Sequence, residues 1–231
     1  MNSRIPQKYF IDGPTGKLET VLAQPDLDRP RGIAIVAHPH PLYGGTMNNK
    51  VVYTLVKAFL ELGYITVKFN FRGVEQSEGN RYSGNDNGVG EIEDVLAVAE
   101  TTGKQFTSFF SGPPPLVLAG FSFGGAIQGY AAQRLRPEKL IMVAPPVERL
   151  NVPPLAHPGT KHDDEPITDI LIIQGDQDDV VPLKTVLDWA APQELPVVVI
   201  PGAEHFFHGR LHILKRVVLD SCRPRAFVLQ A

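Results

Sequence analysis

Cysteine is nearly absent: Cys222 is the single one in 231 residues, so no disulfide can close within the chain, an arrangement suited to a reducing compartment. As a lone thiol near the C-terminus it reads as a small hydrophobe. No apolar run reaches the roughly 18 residues of a membrane span. The stretch from Met1 to Asp12 carries charges and a proline and lacks the apolar centre of a signal peptide. Basic blocks are missing too. Twenty-two Lys and Arg stand against 25 Asp and Glu, a formal net charge of −3, which gives nucleic acid no electrostatic footprint. Glycine and proline, 21 of each, fall short of the roughly 25–30% at which low-complexity disorder sets in. These absences leave a soluble cytoplasmic protein, partnered by neither membrane nor nucleic acid. With 43% hydrophobic residues, the length fits one domain spanning residues 1–231.

What is present is a rhythm. Short apolar runs occur at Ile33–Ala37, Ile65–Phe71, Leu116–Ala119, Leu140–Ala144, Ile170–Ile173 and Val197–Ile200. They mostly lack polar alternation, as strands covered on both faces do. Helical spacing fills the intervals at Met47–Leu62, Glu91–Thr102, Ser122–Leu135, Leu183–Ala191 and Phe207–Leu219. Strand and helix in alternation predict an α/β fold, with a mostly parallel sheet and helices on both faces. Tyr9–Asp12 and Leu18–Ala23 flank Gly13-Pro14-Thr15-Gly16, a hairpin that would give the sheet an antiparallel N-terminal edge. The irregular stretches Glu75–Gly90 and Val147–Asp169 are too short for a large lid domain. The second holds His157, His162, Asp163, Asp164 and Glu165, whose spacing matches no standard ligand pattern, so no metal is expected.

Chemistry concentrates at Gly120-Phe121-Ser122-Phe123-Gly124, between an apolar run and a helical pattern. This is G-x-S-x-G on a strand-to-helix turn, the nucleophile elbow. Its glycines are steric: side chains at 120 and 124 would collide with neighbouring elements. An elbow serine needs a carboxylate and an imidazole later in the chain. Gly175-Asp176-Gln177-Asp178-Asp179 leaves one strand and offers Asp178, with Asp179 and Asp176 as alternatives. Pro182 then falls where a helix opens. The loop after the last run carries His205 as the base, while His208 falls at the start of the final helix. An oxyanion needs backbone donors. One is the Phe123 amide. The other belongs to the loop from Ala37 to Gly45, where Pro39 and Pro41 have no N–H; His40 is favoured and Leu42 is the alternative. The rings of His38 and His40 can equally serve to brace that loop. Tyr43, Phe121 and Phe206 are candidates for an apolar acyl wall, with Phe123 and Phe207 near them.

These stretches, together with Phe69-Asn70-Phe71-Arg72-Gly73 and Gly202-Ala203-Glu204-His205-Phe206-Phe207, resemble the α/β-hydrolase family. The likeness is to its small lidless bacterial members related to dienelactone hydrolase. The resemblance implies the α/β-hydrolase fold, no cofactor, and a carboxylate at the third residue after the glycine, hence Asp178. It also implies a structural arginine at the strand-end turn, here Arg72. Two departures stand out. The nucleophile is serine where dienelactone hydrolase has cysteine, so the lactone substrate does not carry over. The oxyanion loop reads His-Pro in place of His-Gly. The expected reaction is hydrolysis of a small-molecule carboxylic ester through an acyl-enzyme. The alternatives are a thioesterase or peptidase on the same residues, or a binding protein that has kept the fold without activity.

Overall fold

The computed structural model describes residues 5–81, 88–155 and 168–223. The loop histidines and acids from His157 to Glu165 lie outside the described residues. The predicted hairpin forms as β1 (Gln7–Gly13) and β2 (Gly16–Ala23). The apolar runs become β3 (Ile33–Ala37), β4 (Ile65–Phe69), β5 (Leu116–Phe121), β6 (Lys139–Val143), β7 (Asp169–Gly175) and β8 (Val197–Ile200). All join one eight-stranded sheet in the order β1-β2-β4-β3-β5-β6-β7-β8. β1 and β2, and β2 and β4, pair antiparallel; every other neighbour is parallel.

Alternation along each strand builds two cores, because successive side chains point to opposite faces. Ile33, Ile35 and Leu118 face one core, packed by α2 (Val89–Phe106), α3 (Phe123–Leu135) and α4 (Leu183–Ala190). Ala34, Val36, Val117, Ala119 and Phe121 face the other, covered by α1 (Lys50–Glu61) and α5 (Leu211–Cys222). Both faces are therefore dry, which explains why these strands read as unbroken apolar runs. Strand β8, at one edge, is only four residues long and stands between Pro196 and Pro201.

Several predicted boundaries shift. α1 starts at Lys50 rather than Met47 because Asn49 caps it, its Oδ1 accepting the Val51 N–H at 2.8 Å. Pro182 occupies the cap position before α4, one residue ahead of the first helical turn. His208 does not open the last helix. Phe207 (φ 55°) and Gly209 (φ 68°) hold the chain in a left-handed turn there, and α5 begins at Leu211. No described helix is long and apolar enough to cross a membrane.

The topology places a crevice. From β3 the chain steps to β4 on one side, then crosses back to β5 on the other. α1, which follows β3, and α3, which follows β5, lie on opposite faces. The loops leaving β3 and β5 thus diverge at the carboxyl edge of the sheet, where open α/β sheets receive their ligands. No large lid interrupts the described chain over this edge.

Candidate active site

Ser122 sits where β5 turns into α3, with φ 52° and ψ −122°, a conformation costly for any residue with a Cβ. The surroundings hold it there. The Ser122 amide donates to the Val143 carbonyl at 2.8 Å, and its carbonyl accepts from the Gly125 amide at 2.8 Å. A Cβ on Gly120 would strike the Gly124 carbonyl, and one on Gly124 would lie 2.5 Å from the His38 carbonyl oxygen. The helix N-terminus is thereby pressed against the loop leaving β3, as the elbow pattern requires.

His205 lies in the loop after β8. Its Nε2 is 3.1 Å from Ser122 Oγ, and its Nδ1 is 2.8 Å from Asp178 Oδ2. All three residues are buried. Of the three competing aspartates, Asp178 is the one that meets the imidazole. Its Oδ1 accepts the amides of Val180 (2.9 Å) and Val181 (2.8 Å), and Gln174 Nε2 reaches Oδ2 at 3.0 Å. Asp176 instead stitches loops together: its Oδ1 accepts the Gly202 amide at 2.6 Å. The Gln177 amide adds a second stitch to the Ala203 carbonyl at 3.0 Å. Gly175 makes the close approach possible, since a Cβ there would meet that same Ala203 carbonyl.

The histidine loop is tightened by Glu204, which accepts the amides of Phe206 (3.0 Å) and His208 (2.6 Å) and pairs with the His208 ring. Partial burial opposes its ionisation, but these donors outweigh it and hold the carboxyl below its ordinary value.

The loop after β3 is braced by His38. This ring is fully buried, and burial pushes its pKa down to about 4. It is therefore neutral at pH 7. Its Nε2 accepts the Phe71 amide at 3.1 Å, so the proton sits on Nδ1 and is donated to the Pro39 carbonyl at 2.7 Å. His40 is only half-buried, and burial lowers its pKa as well. Its Nδ1 accepts the Leu42 amide at 3.2 Å, and its ring lies 5.1 Å from that of Phe123. The amides of Tyr43, Gly44 and Gly45 donate back to carbonyls of His40 and Pro41. The Leu42 amide, the alternative oxyanion donor, is thus already engaged by the His40 ring.

The three aromatic wall candidates separate. Tyr43, packed on the His40 ring, is 85% exposed, and Phe206 is 43% exposed. Phe121 is fully buried with its ring 5.0 Å from that of His205. It packs against the imidazole and lines no open wall. Two contributors escaped sequence reasoning. Gln174 was legible only as a polar residue ending an apolar run. Asp94, the partner of Arg72, lies on the buried face of α2. Among the described residues no three His, Cys, Asp or Glu side chains converge as metal ligands.

A mostly parallel sheet flanked on both faces, an elbow serine at its carboxyl edge and an imidazole within reach define the architecture of an α/β serine hydrolase. The family model for the alpha/beta hydrolase domain matches residues 32–213, and the chain belongs to that family. An α/β serine hydrolase homologue from Coxiella burnetii is 40% identical, with 94% of this chain and 97% of that one covered at a TM-score of 0.79. A lidless α/β serine hydrolase from Xanthomonas campestris is 35% identical over 93% and 92% of the two chains, at a TM-score of 0.77. A Rickettsia prowazekii protein is 33% identical, covering 94% of this chain and 88% of its own length. Family and neighbours together support hydrolytic activity.

Proposed function

We propose that this protein hydrolyses small carboxylic esters, with Ser122 as nucleophile, His205 as general base and Asp178 as its orienting carboxylate. The observation that carries the reading is the unbroken hydrogen-bond line from Asp178 Oδ2 through His205 to Ser122 Oγ, 2.8 and 3.1 Å. As Oγ attacks the acyl carbon, its proton passes to Nε2, and the carbonyl π electrons move onto oxygen. Phe123 and His40 amides would receive that oxyanion, and such a donor typically contributes about 3–4 kcal/mol to lowering the barrier. Collapse expels the alcohol, which takes the proton back from Nε2. Water then repeats the sequence on the acyl-enzyme and returns Ser122. Asp178 keeps the ring tautomer that leaves Nε2 able to accept.

The absence of a large lid among the described residues and the exposed rings of Tyr43 and Phe206 favour a short or flat acyl group over a long chain. Turnover of p-nitrophenyl acetate and butyrate by wild type and Ser122→Ala tests the mechanism. The variant should lose at least about a thousandfold in kcat; undiminished turnover would remove Ser122 as nucleophile. Acyl-CoA thioesters and aminoacyl amides, run beside the esters, decide the bond. Failure of folded protein to react with a fluorophosphonate probe would overturn the esterase reading and revive that of a binding protein.

A further inference from the structure

We infer that Gln174 is a positioning residue for the reaction, acting through Asp178 to fix which carboxylate oxygen faces the imidazole. The inference rests on the reading of Ser122, His205 and Asp178 given above. Gln174 is the penultimate residue of β7 and is fully buried. One N–H of its amide reaches Asp178 Oδ2 at 3.0 Å, and Nε2 also donates to the Val181 carbonyl at 2.8 Å. Oδ2 is the same oxygen that takes His205 Nδ1 at 2.8 Å. The opposite amide orientation would set Oε1 against two acceptor oxygens, so the donor end is fixed by its surroundings.

The two bonds on Oδ1 come from Val180 and Val181, two and three residues onward. Any aspartate closing this turn would make them. They anchor Oδ1 but do not touch Oδ2, whose partners, His205 and Gln174, both lie outside the turn. Gln174 holds it from the rigid strand. It ties the carboxylate to the far end of the same loop through the Val181 carbonyl. The arrangement is made at a cost. Gln174 Oε1 is buried with no hydrogen-bond partner among the described residues. A methionine of similar shape would spare that acceptor but leave both Asp178 Oδ2 and the Val181 carbonyl without this donor. The amide is therefore kept for its donors.

The test compares wild type, Gln174→Met and Gln174→Glu with p-nitrophenyl butyrate, melting curves, and the downfield NMR resonance of the His205 Nδ1 proton. Met keeps the shape and removes the donors. It should lower kcat by about tenfold, the scale on which outer partners of a reacting group act, with KM within about twofold. It should move or broaden the downfield resonance and lower the melting temperature by a few degrees, because the Val181 carbonyl and Asp178 lose a buried donor, with the variant still folded at the assay temperature. Glu sets a second carboxylate against Oδ2 and should cost more than Met. The inference is overturned if Met keeps kcat within about twofold with an unmoved resonance, if Glu outperforms Met, or if activity falls only in step with unfolding. Ester inactivity in wild type, or full activity in Ser122→Ala, would instead overturn the functional reading. The resonance and the rate of fluorophosphonate labelling would then decide the role of Gln174 by themselves.

Discussion

At Gly124 a single hydrogen atom separates a working elbow from a displaced one. A methyl group there would press on the backbone of Ala37 and His38, at 2.6 and 2.5 Å, and backbone cannot turn aside as a side chain can. Gly124→Ala should therefore push α3 away from the loop after β3, moving Ser122 and the Phe123 amide out of register. A shift of about 1 Å costs about a hundredfold in rate. Overpacking should also lower stability by about 1–3 kcal/mol. Gly103, on α2, is the control: a Cβ there meets nothing within 4 Å. Gly103→Ala should raise stability by about 0.5–1 kcal/mol and leave kcat/KM unaltered. Urea unfolding with ester kinetics on both variants checks the pair. The same scale shows what a sequence conveys about a site. The glycine spacing announces the elbow because it answers a steric demand. Among Asp176, Asp178 and Asp179 the family resemblance picks out the one that meets the imidazole, whereas seeing that Phe121 packs on that ring needs the direction in which its side chain points.

Between elements, one ion pair joins the turn after β4 to α2. The Arg72 guanidinium grips Asp94, Nη2 to Oδ1 at 2.7 Å, and the Arg72 amide adds a bond to Oδ2 at 3.0 Å. Asp94 is wholly buried. Gly90 lets the helix lie against the guanidinium, since a Cβ there would come within 2.6 Å of Nη1. Arg72→Met would leave a buried carboxylate without its counter-charge and should cost about 3–5 kcal/mol in urea unfolding. A loss below about 1 kcal/mol would place the pair among those worth little. Element identity was readable throughout this sheet, and β3 and β8 begin and end where their apolar runs do. Two of the displaced ends share a cause. β5 continues through Gly120 and Phe121 because pairing with β6 carries it to the threshold of Ser122, although a glycine there reads as a stop. The final helix waits until Leu211 because positive φ at Phe207, a residue not disposed to it, is imposed by the packed loop. In both places tertiary contacts overrule local preference.

For the molecule as a whole, His38 links stability to acidity. In the unfolded chain its imidazole takes a proton near pH 6.5; in the native state burial delays this to about 4. As pH falls through that window the unfolded state binds the proton and the folded state does not, so stability declines. Across the whole interval the decline attributable to this ring is about 3 kcal/mol. Urea unfolding at a series of pH values should show it, and His38→Gln should flatten the slope between about pH 6.5 and 4. An identical slope in the variant would assign the acid sensitivity to other groups. The sheet itself also has a boundary to guard. Its last strand exposes a line of amides and carbonyls, the kind of template along which another chain could zip and seed fibrils. Proline at either end of β8 breaks that line after four residues, since neither ring nitrogen can donate to a newcomer. The flank is thus self-limiting, and crowded solutions of the folded protein should resist stacking from that side.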